Sequence, residues 1–539
     1  MRRAFILTSL IIALFVLGTS LLSFPVRCES VGTYVYTYVV HKSGWIDIKT
    51  EFRANGSGTS WVLVPKYDKY SLRIKSGKLL WKKIGVAKTK TGETFYFYNN
   101  LSFGYEGDLD FVVNWSYRFG ALIVEPNGAF YTTQVGFDGK DRAIVQIVFP
   151  KDFEIQSVEP SHYLKDDNTT GTYIFFENLT GSNNFFRSLV SFRVKSQGTF
   201  LQKSVRGLTI VYPKRYEDVV ENLSSVYLRG IDYLMNITDF KKPVNVTVKF
   251  FVPESVKELE AFGYTNLKGS SDVLERGVIY LNMIIVRTPA YEMPEVLFHE
   301  LAHQYMWHDG LMPSLRWVHE GLADYISIYI CRKLGFKEAG LYEYKSVSLL
   351  VNKTGGKVGF VQEWSSGGLP PNADLYYAAS LYVISELAKK HGGIALYRKF
   401  FEIAKTRNVS IGNFSEFLSL LNEAAGSDLS KDFEEMGFKI PKLPKEEPLE
   451  LKYMLYISDF LGIFNPFNSY AKSYLSEAKN MFRMGDATRG RVFLYKGTII
   501  TALGLMLEFS LIALTASLVI FLREKRGKVS EIKEGEEKV

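Results

Sequence analysis

Cysteine is nearly absent: residues 28 and 331 are the only two in 539. A disulfide framework is therefore excluded as the source of stability. Glutamine is scarce as well, at seven, which fits selection against heat-labile side chains. A large excess of one charge is also missing. The 65 Lys and Arg against 57 Asp and Glu leave +8 over the whole chain, and no basic tract exceeds a few residues. That excess is too thin to make a nucleic-acid-binding surface. There are no internal repeats and no low-complexity segments, and 47% hydrophobic residues exclude wholesale disorder. Aromatic residues are plentiful at 15%, which favours β-rich structure. At roughly 150 residues per domain the length gives room for three or four domains.

Long hydrophobic runs occur only near the two ends. Met1-Arg2-Arg3 precedes an apolar run from Ala4 to Leu22, then small and polar residues to Ser30. This reads as a secretory signal peptide over residues 1–30, with an uncleaved anchor as the alternative. Cleavage before Val31 would remove Cys28 and leave Cys331 without an internal partner. Residues 497–522 carry a single charge, Glu508, and are long enough to span a bilayer as a helix. The cluster Arg523-Glu524-Lys525-Arg526 follows like a stop-transfer signal and opens a charged tail, 523–539. Eleven Asn-X-Ser/Thr sequons lie between Asn55 and Asn413, and none lies in the tail. The expected topology is a single pass through the cell membrane, with an extracellular ectodomain and a cytoplasmic C-terminus.

Between these runs the chain changes character once. Residues 31–205 show β-branched and aromatic segments such as Thr33–Val40, period-two alternation at Trp45–Lys49 and Ser191–Lys195, and Gly, Asn, Asp and Pro turns. An antiparallel β domain, sandwich-like or saddle-like, is predicted there. From 206 to 440 strands are expected at 208–212, 244–252 and 278–283, with a helix over 216–235. From Tyr291 to Gly437 the pattern is mostly helical. Residues 441–496 read as a linker and juxtamembrane helices. The expected fold class is thus multidomain α+β with a C-terminal transmembrane helix.

Four of the seven histidines fall within residues 299–319. His299-Glu300-Leu301-Ala302-His303 places two imidazoles one helical turn apart on one face, able to reach a common ion. Glu300 sits beside that face, close enough to meet a water on the ion. After a turn with Gly310 and Pro313, a second helix carries Trp317-Val318-His319-Glu320-Gly321-Leu322-Ala323-Asp324-Tyr325. If the two helices pack antiparallel, Glu320 completes a His₂Glu set, and a catalytic zinc uses three such ligands with water in the fourth position. Asp324, one turn beyond Glu320, is placed to accept the outer ring N–H of a ligand histidine. His308 and His319 are not expected to ligate, His319 lying on a different face from Glu320. If the site were instead closed and structural, His308 would be the nearest fourth ligand.

HELAHQ followed by W-x-x-EG-x-A-D-Y resembles the gluzincin metallopeptidases, closest to the thermolysin-like domain of the neutral, alanyl-type aminopeptidases. The gap between His303 and Glu320 is 16 residues, two shorter than is typical there, and His319 stands where those enzymes usually have Asn. The resemblance covers about 206–440 and implies a thermolysin-like, mostly helical catalytic domain with one Zn²⁺ per chain. It implies a tyrosine that donates to the oxyanion, and counting back from His391-Gly392-Gly393 favours Tyr377, with Tyr376 second. It also points to Glu275 as a degenerate anchor for a substrate amine, since the family's G-x-M-E-N strand is missing. Aminopeptidase and endopeptidase specificity both stay open. The expected function is a membrane-anchored zinc metallopeptidase acting on peptides or proteins, with Glu300 activating the water. A surface binding or adhesion protein with a structural zinc is the rival.

Overall fold

A computed structural model describes residues 31–89, 94–179, 185–195, 198–260, 262–264, 277–364, 370–440, 448–461, 466–483 and 487–536. The chain is mixed α+β, with a β-rich N-terminal region and one long apolar helix near the C-terminus. The expected signal, residues 1–30, and Glu275 lie outside the described residues.

The first strands are β1 (Thr33–Val40), β2 (Ile46–Ala54), β3 (Gly58–Pro65), β4 (Ser71–Lys88) and β5 (Thr94–Tyr117). Next come β6 (Ala121–Val124), β7 (Asn127–Tyr131), β8 (Val135–Gly136), β9 (Arg142–Pro150) and β10 (Phe153–Glu159). The region closes with β11 (Leu164–Asp167), β12 (Gly171–Leu179), β13 (Phe185–Phe186) and β14 (Leu189–Val194). An eight-stranded sheet runs β11-β12-β9-β1-β2-β5-β3, with β4 on the other side of β5. Along β1 the even-numbered residues, Tyr34, Tyr36, Tyr38 and Val40, are buried, as period-two alternation requires of a sheet with one face on a core. The expected antiparallel pattern is broken once. β1 and β9 pair in parallel, Thr33 opposite Arg142. A parallel pair needs a long crossover, and about a hundred residues of intervening chain supply it.

In a second sheet, β10-β14-β7-β6, the last three strands are covered on both faces. Ala121, Ile123, Phe130 and Val190 join the core beneath the large sheet. Their neighbours Leu122, Ala129 and Leu189 join the core of the helical region instead. β6, β7 and β14 therefore contribute neighbouring side chains to two cores, which fastens the β region to the helical one.

Then come β15 (Phe200–Val205), β16 (Leu208–Pro213), α1 (Glu217–Ile237), β17 (Val246–Phe251), β18 (Gly263–Tyr264) and β19 (Val278–Asn282). They form a five-stranded sheet, β15-β16-β17-β19-β18, with β18 antiparallel at the edge. β15, inside the segment read as β domain, pairs with β16 and so belongs to this later sheet. The helices after this sheet are α2 (Glu292–His308), α3 (Arg316–Lys333), α4 (Leu341–Thr354), α5 (Ala373–Lys390), α6 (Ile394–Arg407), α7 (Phe414–Ala425) and α8 (Ser430–Glu435). Asn413 caps α7, its side chain accepting from the Glu416 backbone N–H.

α3 is the central rod. Trp317 is 1% exposed and packs against Phe414, Phe417, Phe433 and Phe438, with ring centroids 5.3–6.4 Å away. One turn on, a Cβ at Gly321 would lie 2.6 Å from the Ser380 carbonyl oxygen of α5. Only glycine permits that approach, and it sets α5 against the part of α3 that bears Glu320.

Beyond residue 447 lie α9 (Leu449–Leu461), α10 (Asn468–Arg483) and α11 (Ala487–Glu536). Among the described residues one helical stretch, Arg489–Lys525, is long and apolar enough to cross a membrane. Large apolar side chains from Leu503 to Leu522 are exposed on it. Helix continues through the start of the expected charged tail, to Glu536. At its base Arg489 pairs with the buried Glu416 of α7 at 3.2 Å, tying α11 to the helical region.

Candidate metal centre

α2 ends where the sequence changes from apolar-periodic to Asp309-Gly310. Gly310 takes φ of +89°, a left-handed stop, and the chain turns back into α3. The turn brings two helical faces together. His299 and His303 come from α2, one turn apart, and Glu320 comes from α3. His299 Nε2 and His303 Nε2 are 3.1 Å apart, and Glu320 Oε2 is 3.4 and 3.3 Å from them. One ligand atom from each residue lies within 4.8 Å of the others. Among the described residues no further His, Cys, Asp or Glu joins this group. His308 stands exposed at the end of α2, apart from it.

The outer hydrogen bonds fix which nitrogens face inward. Asp324 Oδ1 lies 2.8 Å from His299 Nδ1, so that nitrogen donates outward and Nε2 is the one that faces inward. On the other ring, His303 Nδ1 is 3.1 Å from His319 Nδ1, and His319 Nε2 is 2.8 Å from the Leu311 carbonyl oxygen. A carbonyl only accepts, so His319 Nε2 carries its proton and its Nδ1 accepts from His303. His303 Nε2 is left unprotonated and aimed inward. His319 stays neutral, its pKa pushed down to about 3 by burial and then by the neighbouring His303. It does not ligate, but it touches His303 through the outer face of the ring. The notation i, i+1 along a helix hides this, because His303 approaches α3 between His319 and Glu320.

Electrostatically the group favours a cation. Burial opposes charge on His299, but Asp324 and then Glu320 outweigh it and raise the imidazole well above its ordinary pKa. Burial alone would raise Glu320, yet His303 and His299 hold its carboxyl well below the usual range. Two inward imidazole nitrogens and one carboxylate oxygen are the donor set of a catalytic zinc, whose nitrogen ligands sit about 2.0–2.1 Å away. The residues present fit such an ion.

Glu300 is 5% exposed and its pKa is raised, first by burial, which suits a group that accepts a proton. A Cβ on Gly263 would lie 3.0 Å from Glu300 Oε1, so the edge strand β18 runs against it. Tyr377, on α5, hydrogen-bonds Arg316 and lies 5.0 Å from the Trp364 ring, and burial raises its pKa. Arg316 in turn sits 3.5 Å from Glu320 Oε1 and 5.2 Å from the Trp364 ring centroid. Sequence reading overlooked Arg316. Its one signal is position, a cation one turn before the ligand carboxylate on the same helix. His299, Glu300, His303, Glu320, Asp324 and Tyr377 thus gather in one place. Set against models of known protein families and against curated proteins, the chain matches none.

Proposed function

We propose that this protein is a membrane-tethered zinc metallopeptidase of the gluzincin type, with a thermolysin-like catalytic domain over about residues 206–440. The observation that carries the reading is the convergence of His299, His303 and Glu320 with no fourth protein ligand among the described residues. A structural zinc is closed by four protein ligands, whereas a catalytic one keeps a position open. The five-stranded mixed sheet with an antiparallel edge strand, followed by two paired helices, agrees with the thermolysin-like resemblance.

His299, His303 and Glu320 would hold the ion, with Asp324 and His319 fixing the tautomers of the two rings. Zinc, when bound, makes a nucleophile available at neutral pH and polarises the substrate carbonyl. Glu300 takes the proton of the attacking water and passes it to the leaving amine; its raised pKa suits both transfers. Tyr377 donates its hydroxyl to the developing oxyanion, and burial keeps that hydroxyl protonated. Arg316 orients Tyr377 and offsets the charge of Glu320. α11 anchors the enzyme in a membrane, with the rest of the chain outside the cell and the C-terminus in the cytoplasm.

The test uses the full-length chain in detergent, with Glu300→Gln beside it, on free and N-terminally blocked peptides. Mass spectrometry reads the products. Glu300-dependent cleavage of free peptides alone makes it an aminopeptidase, and cleavage of blocked peptides makes it an endopeptidase. Equal cleavage by wild type and Glu300→Gln overturns the assignment of Glu300.

A further inference from the structure

A cavity of about 300 Å³ lies where the β region meets the helical region. That is large enough for a substrate side chain. On the β side Phe97, Trp115 and Tyr117 of β5 and Tyr131 of β7 line it; on the other side stand Leu259, Phe262 and Ile284. Two guanidinium groups enter this aromatic shell. Arg187 lies 5.0 Å and Arg287 5.9 Å from the centroid of the same Tyr131 ring. Arg287 donates to the Tyr131 carbonyl at 2.7 Å, and Arg187 donates through Nε to Gln134 Oε1 at 3.0 Å. Neither arginine forms an ion pair with a carboxylate among the described residues, and Arg187 keeps exposed surface. Asp68 also lines the cavity, its carboxyl raised by burial, but no ion pair joins it to either arginine among the described residues.

Two cations placed against one ring repel each other, and apolar walls deepen the cost of leaving them without a counter-charge. A carboxylate with apolar flanks would satisfy both the charge and the walls. The cavity is joined to the candidate active site through the chain. Phe262, in its wall, directly precedes Gly263, against which Glu300 rests. The edge strand β18 thus begins beside the cavity and runs against Glu300.

We propose that this junction cavity is the specificity pocket of the enzyme and takes a carboxylate of the substrate, an acidic side chain or chain terminus, on Arg187 and Arg287. The proposal rests on the peptidase reading, and the experiment separates the two. Pairs of peptides differing by Glu against Gln near the cleaved bond, and by free against amidated C-termini, are given to the full-length chain in detergent. The acidic member is expected to be cleaved with a kcat/KM about 10- to 100-fold higher, the effect of one charge-assisted hydrogen bond. Arg187→Gln should abolish that preference, read as the ratio of kcat/KM for the acidic and neutral members, while Arg187→Lys should retain part of it. Cleavage with no preference, or a preference that survives Arg187→Gln in a protein of unaltered melting temperature, overturns the pocket and leaves the peptidase standing.

A second arm needs no turnover. Benzoate and its neutral counterpart benzamide are titrated into Glu300→Gln while tryptophan fluorescence is followed, with Trp115→Phe to assign the signal. Saturable binding of benzoate but not benzamide, lost in Arg187→Gln, supports the carboxylate site even if no peptide is ever cut. Benzoate binding without any acidic preference in cleavage overturns the substrate assignment and makes the occupant a free carboxylate. No benzoate binding together with no preference removes the site.

Discussion

Replacing His319 by alanine tests the most specific feature of the metal centre. In the folded protein the ring does two things: it accepts from His303 Nδ1 at 3.1 Å and donates to the Leu311 carbonyl at 2.8 Å. The first holds His303 with its lone pair inward. Loss of such an outer partner typically weakens metal binding 10- to 100-fold, equivalent to about 1.4 to 2.7 kcal/mol. The second is a matter of folding, since an unpartnered buried carbonyl costs about 1 to 3 kcal/mol whether or not metal is present. The two effects separate in a pair of measurements. Zinc affinity comes from competition with a chromophoric chelator, and apo-protein stability from denaturant unfolding. His319→Ala should lower both. His319→Asn supplies a carboxamide oxygen to His303 and should recover most of the zinc affinity while recovering less of the stability. If His319→Ala binds zinc as tightly as wild type, the tautomer argument fails.

Other outcomes rest on the same geometry. Glu300→Gln should keep one zinc per chain by elemental analysis yet lose at least about 10²- to 10⁴-fold in kcat; an active variant, or a zinc-free one, would contradict its role as base. Apparent zinc affinity should rise with pH, because Asp324, against the opposing effect of burial, lifts His299 above its ordinary pKa, and binding must displace that proton. Calorimetry in buffers of different ionisation enthalpy counts the protons released, and a count of zero between pH 6 and 8 would refute the raised pKa of His299. Trp317→Ala should cost about 3 to 5 kcal/mol of stability in denaturant unfolding, given its four phenylalanine neighbours. Asp309, at the end of α2, has its pKa pushed up to about 7 by burial against the pull of Lys405. Its folded pKa exceeds its unfolded one, so this contribution to stability is full below pH 4 and lost as pH rises to 7. Asp309→Asn should flatten that dependence, by at most about 4 kcal/mol across the window.

Much of the fold and the metal centre was legible along the chain because the signals are local. Alternation over Thr33–Val40 names the buried face of β1, and Asn413 followed by Glu416 marks the start of α7. The i, i+4 histidines and the following Glu320 define a cluster because two helices joined by a short turn must lie side by side. What escaped is what long-range packing decides. The parallel pairing of β1 with β9 depends on a partner a hundred residues away. The alternation of Ala121, Leu122 and Ile123 looks like a continuous apolar run because both faces of that strand are covered. His319 gave no sign of its contact with His303, since a helical wheel assigns it a face but says nothing of what crosses that face. The junction cavity is built from Trp115, Arg187 and Arg287, none of which lies in a common motif. Glu275 lies outside the described residues, so its relation to the centre stays a matter of resemblance alone.

The most direct test of the central claim is X-ray absorption at the zinc edge on the purified full-length chain, with metal content measured on the same sample. The expected result is one zinc per chain bound by two imidazoles and by oxygen donors, one of them exchangeable water. A spectrum fitted only by three imidazoles, or a chain that retains no zinc when metal is supplied in excess, would contradict an open His₂Glu centre.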